Sequence, residues 1–351
     1  MPLPRPLVDL PARLLAAWPA EAWRDVHVLI AVSGGADSMA LLRMLVAAKR
    51  QAAGGGRLFV GHVDHSLRGD DSAADAEWLA EQCRQLALPL FIEKANVGAV
   101  AEVRGDGMEE AARATRYQIL TRMAETLGAR FVAFGHHRDD QVETILFRLL
   151  RGSGLQGLAG IPATRPLSPS VMAIRPLLNM SRSEIEHYLA EAGQGYRQDE
   201  TNLDVNAAVR NGVRLELLPT IERHFGKSAT AALLRAGEQA AEAQAIIGSL
   251  AMALLEECQE RQELAADSTV GAITLDVTLF PGKPPLIVSE ALRQAWRAAR
   301  WPEQAMTYEW WRRLTQFAQS ADATPALNLP GDIRAARPEQ SLLSLTRRVM
   351  S

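Results

Sequence analysis

Five groups of polar residues in this chain have types and spacings that can do chemistry. The first, Ser33-Gly34-Gly35-Ala36-Asp37-Ser38, joins a Gly-rich turn to two hydroxyls and a carboxylate. Placed between a strand and a helix, such a turn offers backbone N–H groups and a positive helix end to phosphate. It lacks both the Gly-Lys-Ser/Thr of a Walker A loop and the G-x-G-x-x-G of a dinucleotide fold. The second group runs Gly61-His62-Val63-Asp64-His65-Ser66-Leu67-Arg68-Gly69. Asp64 can accept from a ribose or adenine group, help hold Mg²⁺, or merely cap the following turn. In the third, Arg113 and Arg116 share one helix face and can serve one anionic patch, while Glu109 and Glu110 suit the helix start. The fourth is His136-His137-Arg138-Asp139-Asp140-Gln141-Val142-Glu143-Thr144. Asp140 and Glu143 are helical neighbours there, and a carboxylate pair suits a metal or an ammonium group. Adjacent histidines without H-E-x-x-H argue against a conventional zinc site. In the fifth, Arg210 and Arg214 are one helical turn apart and can grip a phosphate backbone or a pyrophosphate.

The elements that must position these groups are legible as alternating strands and helices. Val28–Val32 reads as a buried strand running through Ser-Gly-Gly into a helix, Met39 to Val46. Leu58–Val63, Leu88–Ile92 and Phe131–Phe134 are further strands, followed by helices at about 72–86, 108–127 and 136–150. This order predicts an α/β fold with a doubly wound parallel sheet, in which ligands bind beyond the carboxyl ends of the strands. The first, second and fourth groups each follow a strand, so they are expected to share one site. A short strand at Val171–Ile174, a capped helix from Ser181 to Glu191, and a helix from Asn206 to Leu218 stopped by Pro219 come next. Near residue 226 an Ala/Glu/Gln-rich pattern begins, with a long helix over 230–264, a strand at 273–279, and helices near 288–300 and 308–318. The expected domains are therefore 1–225, carrying the site, and a smaller, mainly helical 226–351.

Composition narrows the class. The 351 residues are 48% hydrophobic and 23% charged, with a formal charge of −3, which gives no global nucleic-acid signature. Two cysteines, Cys83 and Cys258, exclude a disulfide framework and a Cys-rich metal site. No apolar stretch approaches membrane-spanning length and no secretory layout opens the chain, so no membrane partner and a cytoplasmic location are expected.

Taken in order, the blocks resemble the tRNA(Ile)-lysidine synthase family of the PP-loop ATP-pyrophosphatase superfamily. That family shows S-G-G-x-D-S, H-V-D-H-x-L-R, E-A-A-R-x-x-R-Y, H-H-x-D-D-Q-x-E-T, R-G-x-G-L-x-G-L, R-P-L-L and D-x-[ST]-N followed by R-N-x-[IV]-R. All occur here between about Val28 and Pro219, including Arg151–Leu158 and Arg175–Leu178. Departures are small: Ile161 stands where methionine is usual, Thr201 where serine is common, and Ala208-Val209 where a larger residue precedes the arginine. The resemblance implies a ligase that adenylates C2 of the wobble cytidine in the minor isoleucine tRNA with a CAU anticodon. L-lysine then displaces AMP to give lysidine, which pairs with A in place of G. It implies that Ser33, Gly34, Gly35, Ala36, Asp37, Ser38 and Arg113 bind ATP, with Asp37 near Mg²⁺. Asp140 and Glu143 would hold lysine, and Arg116, Arg210 and Arg214 would contact tRNA. Asp37, Asp64, His136 and Asp140 are the implied catalytic residues, with His136 or His137 as the general base. The second domain would read tRNA shape through phosphates. Alternatives are an ATP-dependent tRNA thiolase of the same superfamily and an inactive tRNA-binding module. A homodimer is left open.

Overall fold

Strand His27–Ala31 (β1) lies at the centre of the first unit because every second side chain is needed on a different face. Val28 and Ile30 enter one apolar cluster, with Leu10, Leu14, Leu41 and Leu189, while Leu29 enters another with Phe59, Leu120 and Val132. A strand with alternate side chains buried on both faces is what a sheet covered by helices on two sides requires. The structure is a computed structural model, and it describes residues 9–64, 70–95, 108–197, 209–260, 272–320 and 326–347.

In chain order, helix α1 (Leu10–Ala17) precedes β1, and α2 (Ala36–Gln51) follows it. Then come β2 (Leu58–Asp64), α3 (Asp70–Leu86), β3 (Leu90–Lys94), α4 (Met108–Thr126), β4 (Ala129–Ala133), α5 (Arg138–Leu150), α6 (Leu155–Leu158), β5 (Thr164–Pro166), β6 (Met172–Ile174) and α7 (Arg182–Glu191). The sheet order is β3-β2-β1-β4-β6-β5. All neighbours are parallel except β5, which closes the edge antiparallel to β6. The chain moves outward one way from β1 to β3 and the other way from β4, so the switch point lies between β1 and β4. A doubly wound sheet opens its ligand crevice at the carboxyl ends there.

Three local features depart from the pattern read in the sequence. Helix α1, capped by Asp9 accepting from Ala12 N–H, was not signalled by any motif. Edge strand β5 is too short for a periodicity. The helix expected to end at Pro219 does not end there. Helix α8 (Val209–Gly212) passes through a π-helical turn, Val213–Leu217, straight into α9 (Leu218–Phe225). Pro219 lies in the first turn of α9, where its missing N–H would have no partner in any case. The wider π turn absorbs the offset.

The long helix α10 (Ser228–Glu260) carries the chain from the first compact unit, which ends at Gly237, into the second, which begins at Glu238. The residue where composition changes, Gly226, instead ends α9 with φ 77°. In the second unit, α11 (Pro285–Ala298) and α12 (Tyr308–Gln319) pack with a four-stranded antiparallel sheet in the order β7-β10-β9-β8. Its strands are Ala272–Asp276, Leu327–Leu329, Ile333–Glu339 and Leu342–Arg347, numbered β7 to β10. Its core centres on Phe280, Trp296, Trp311 and Leu343. This unit is helical with a small sheet. Among the described residues no helix is long and apolar enough to cross a membrane.

Candidate active site

The turn after β1 is shaped by its own hydroxyls. Ser33 N–H donates to Ser38 Oγ at 3.2 Å, and Ser38 Oγ donates to Gly35 O at 2.9 Å. Gly34 takes φ 94°, a left-handed conformation that glycine adopts without strain. The N–H of Arg197 donates to its carbonyl at 2.9 Å. Gly35 is then the N-cap of α2, which puts Asp37 in the first turn. His62, buried on β2, braces the loop through Nδ1, 2.8 Å from Val32 O. Asp64 is buried at the end of the same strand. His65 and Arg68 of its motif lie outside the described residues.

The segment after β4 meets this loop directly. A Cβ at Gly135 would lie 3.0 Å from the Asp37 backbone carbon and oxygen and 3.1 Å from Ser38 N. Gly135→Ala is therefore expected to displace the first turn of α2, costing about 1–3 kcal/mol of stability and weakening ATP binding. Denaturant unfolding and an ATP titration check this; wild-type values in both would show that the close approach is dispensable.

His136 and His137 face opposite charge environments. His137 Nε2 stands 3.6 Å from Asp37 Oδ1 and 3.6 Å from Asp140 Oδ2, and its Nδ1 stands 3.5 Å from Asp139 Oδ2. Burial opposes its protonation, but the close carboxylates of Asp139, Asp37 and Asp140 outweigh it, raising its pKa to about 10. Its Nδ1 also accepts from Asp139 N–H at 3.2 Å, so the same ring caps α5 and ties the phosphate-type loop to it. Its backbone N–H donates to Asp140 Oδ2 at 2.9 Å, and Asp139 in turn accepts from Arg182 N–H at 2.8 Å. The ring next door behaves in the reverse sense. Burial first, then the charges of Arg175, Arg116 and Arg113, push His136 well below the ordinary histidine value. The ring is thereby held neutral, and its Nδ1 is sealed from solvent without a hydrogen-bond partner.

Asp140 and Glu143 project from the same side of α5. Burial and the neighbouring carboxylates raise both, Glu143 to about 7, with Asp140 the largest of its charged neighbours. Arg214, from the π turn, acts on Glu143 electrostatically in the opposite direction. It also donates to Asn211 Oδ1 at 3.5 Å. Arg116 is coupled to Asp140, and Arg113 lies beside Tyr117. The side chains of Glu109, Glu110 and Arg210, and the segment 198–208, fall outside the described residues. Gln141 donates to Ile161 O at 3.2 Å, and Arg148 to Gly160 O at 2.7 Å, so these motif residues fix the turn below the site.

Sequence reasoning did not single out His137 as the link between the loop and α5. Histidine is an unusual N-cap, so it carried no signal. The metal fit rests on Asp37. Its Oδ1 is buried with no hydrogen-bond partner, 3.6 Å from His137, an atom suited to a hard cation. Among the described residues no three His, Cys, Asp or Glu form a cage, but magnesium that arrives with a nucleotide takes most of its ligands from phosphate and water.

A phosphate-type loop at the switch point of a parallel sheet defines a nucleotide-binding class. The chain belongs to the PP-loop domain family, whose model matches residues 13–221. It is similar to the tRNA(Ile)-lysidine synthase of Symbiobacterium thermophilum, 35% identical over 88% of this chain and 63% of that protein. The tRNA(Ile)-lysidine synthase of Geobacter sulfurreducens is also 35% identical, over 89% of this chain and 63% of its own length. The chain thus spans somewhat less than two thirds of the curated relatives it matches. A U34-tRNA thiolase from Methanococcus maripaludis shares the fold, with TM-score 0.54 and 15% identity over 65% of this chain and 77% of that one. Cys83 and Cys258 are both buried here and lie in different units. Burial pushes the Cys83 thiol up to about 11, leaving it an inert hydrophobe.

Proposed function

We propose that this chain uses ATP to adenylate the wobble cytidine of an isoleucine tRNA with a CAU anticodon and then joins L-lysine to it. The observation that carries the reading is the His137 bridge. It holds a phosphate-type loop and a buried carboxylate pair in one crevice. A triphosphate beside a place for a cationic amino acid is what an adenylating, lysine-adding enzyme needs. The lysidine synthase relatives support the same activity, and the thiolase likeness supports only the fold.

In the first step the cytidine C2 oxygen attacks the α-phosphorus of ATP, the α–β P–O bond breaks, and pyrophosphate leaves. Backbone N–H groups of Ser33 to Ser38 and the α2 N-terminus would hold the phosphates. Asp37 would hold Mg²⁺, which neutralises charge on the departing pyrophosphate when bound. In the second step the lysine ε-nitrogen attacks C2, the C2–O bond breaks, and AMP departs. Asp140 and Glu143 position the ammonium form, so a proton must be lost before attack. His136, held neutral by burial and the nearby arginines, would be the acceptor. Arg113 would face the nucleotide, with Arg116, Arg210 and Arg214 toward RNA. Asp64 would meet the ribose or adenine.

The test is whether ATP cleavage is coupled to RNA. AMP and pyrophosphate release by the full chain should rise on adding the CAU-anticodon isoleucine tRNA and lysine together. Release that ignores the tRNA would remove this reading.

A further inference from the structure

Four arginines gather around one phenol, and the reaction above draws on only part of them. The Arg165 guanidinium lies 4.8 Å from the Tyr117 ring centroid and that of Arg113 lies 5.8 Å from it. Arg175, 3% exposed, donates from Nη2 to Tyr117 Oη at 3.1 Å and from Nη1 to Pro162 O at 2.7 Å. Arg116, one residue before Tyr117, completes the group. Burial, with Arg113 and Arg175 nearby, holds its guanidinium below the usual basicity. Among the described residues none of the four forms an ion pair with a carboxylate. The Nε atoms of Arg116 and Arg175 are sealed from solvent and hydrogen-bond to nothing.

Like charges collected in a partly dry place repel each other and forfeit hydration. A cluster serving only the fold would be expected to include a carboxylate. The position in the sheet says which anion would fit. Arg175 follows β6, Arg165 sits on the exposed edge strand β5, and Phe134, 5.7 Å from Arg175, follows β4. The phosphate-type loop follows β1, on the other side of β4. A triphosphate would occupy that loop, which leaves the arginine group for a different anion.

We propose that Arg165 and Arg175, with Arg116 and Tyr117, form a phosphodiester subsite that holds the RNA backbone beside the nucleotide being modified. This rests on the RNA-modifying reading above. Arg165 supplies the exposed, entering fork. Arg175 orients the phenol, whose own proton is left to donate to a phosphate oxygen. Planar guanidinium forks match phosphate oxygens in pairs, so the arrangement suits a fixed phosphodiester better than a mobile counterion.

Arg165→Ala and Arg165→Glu are the informative variants, because this side chain is exposed and holds nothing in the core. The full chain and both variants would be titrated with a CAU-anticodon isoleucine tRNA transcript over a KCl series, and separately with ATP. Arg165→Ala is expected to weaken tRNA binding about tenfold at low salt and to lower the slope of log affinity against log salt by about 0.7–0.9. Arg165→Glu should weaken it further, and the loss should fall on tRNA and not on ATP. Unchanged tRNA affinity and slope would overturn the subsite. A loss confined to ATP would overturn it too, by giving the cluster to the nucleotide. Lysine incorporation measured on the same preparations separates the two ideas. Incorporation by the wild type with equal salt slopes in all three proteins ends the subsite and leaves the reading. No incorporation, with tRNA affinity still lost in Arg165→Ala, does the reverse.

Discussion

Asp37→Ala is expected to cut pyrophosphate release from ATP by at least about 10²-fold, with a folded chain. Asp37 occupies the first turn of α2, where the helix N-terminus already favours negative charge, and its Oδ1 is buried without a hydrogen bond. An oxygen left in that condition is suited to a hard cation. The nearby basic group is the His137 ring, 3.6 Å away and shared with Asp139 and Asp140. Removing Asp37 leaves His137 two carboxylates, so α5 keeps its anchor. Asp37→Asn preserves shape and removes only charge, and it should lose nearly as much activity. Pyrophosphate release near the wild-type rate in either variant would mean that Asp37 has no part in holding the metal.

Glu143→Gln is expected to raise the half-saturating lysine concentration by about 10²-fold while moving that for ATP by less than about threefold. The pair Asp140–Glu143 is held at a cost, since burial raises both carboxyls, with repulsion from Asp37 and Asp139 adding to it at Asp140 and from Asp140 and Asp139 at Glu143. An ammonium ion relieves that repulsion, and this differential supplies the affinity. The sign with pH follows. Glu143, raised to about 7, is protonated below that value and attracts lysine weakly there. Lysine affinity should improve as pH rises through about 7 and then level off, and binding below that pH should release a proton. In Glu143→Gln the rise should vanish. Equal effects on lysine and ATP, or an unaltered pH profile, would separate Glu143 from the lysine site. Asp140 is the poorer probe, because it also accepts from the His137 N–H that starts α5.

How much of this was legible depended on whether a residue's job is local. Val28–Val32 announces a buried strand because both faces of β1 are covered, and the Ser33–Ser38 turn announces its geometry through Gly34. The parallel α/β sheet and the meeting of the segments after β1 and β4 followed from that alternation alone. Pro219 misled because a π turn ahead of it converts a stop into a first turn, and no side-chain pattern marks that change. The opposed characters of His136 and His137 were illegible for another reason. Adjacent in sequence, they differ only in what surrounds them, carboxylates from α2 and α5 in one case and arginines from α4 and β6 in the other. Glu143 could be paired with Asp140 from spacing. That Arg214 also bears on it required the fold of α8 and the π turn.

On the proposed function, one site joins ATP cleavage to the addition of lysine on a single cytidine. The most direct measurement is incorporation of labelled lysine by the full chain with ATP and Mg²⁺, comparing the CAU-anticodon isoleucine tRNA with methionine tRNA bearing the same anticodon triplet. Label should enter the isoleucine tRNA alone, with one AMP released per lysine attached. AMP released without label in RNA, or label entering both tRNAs equally, would contradict it.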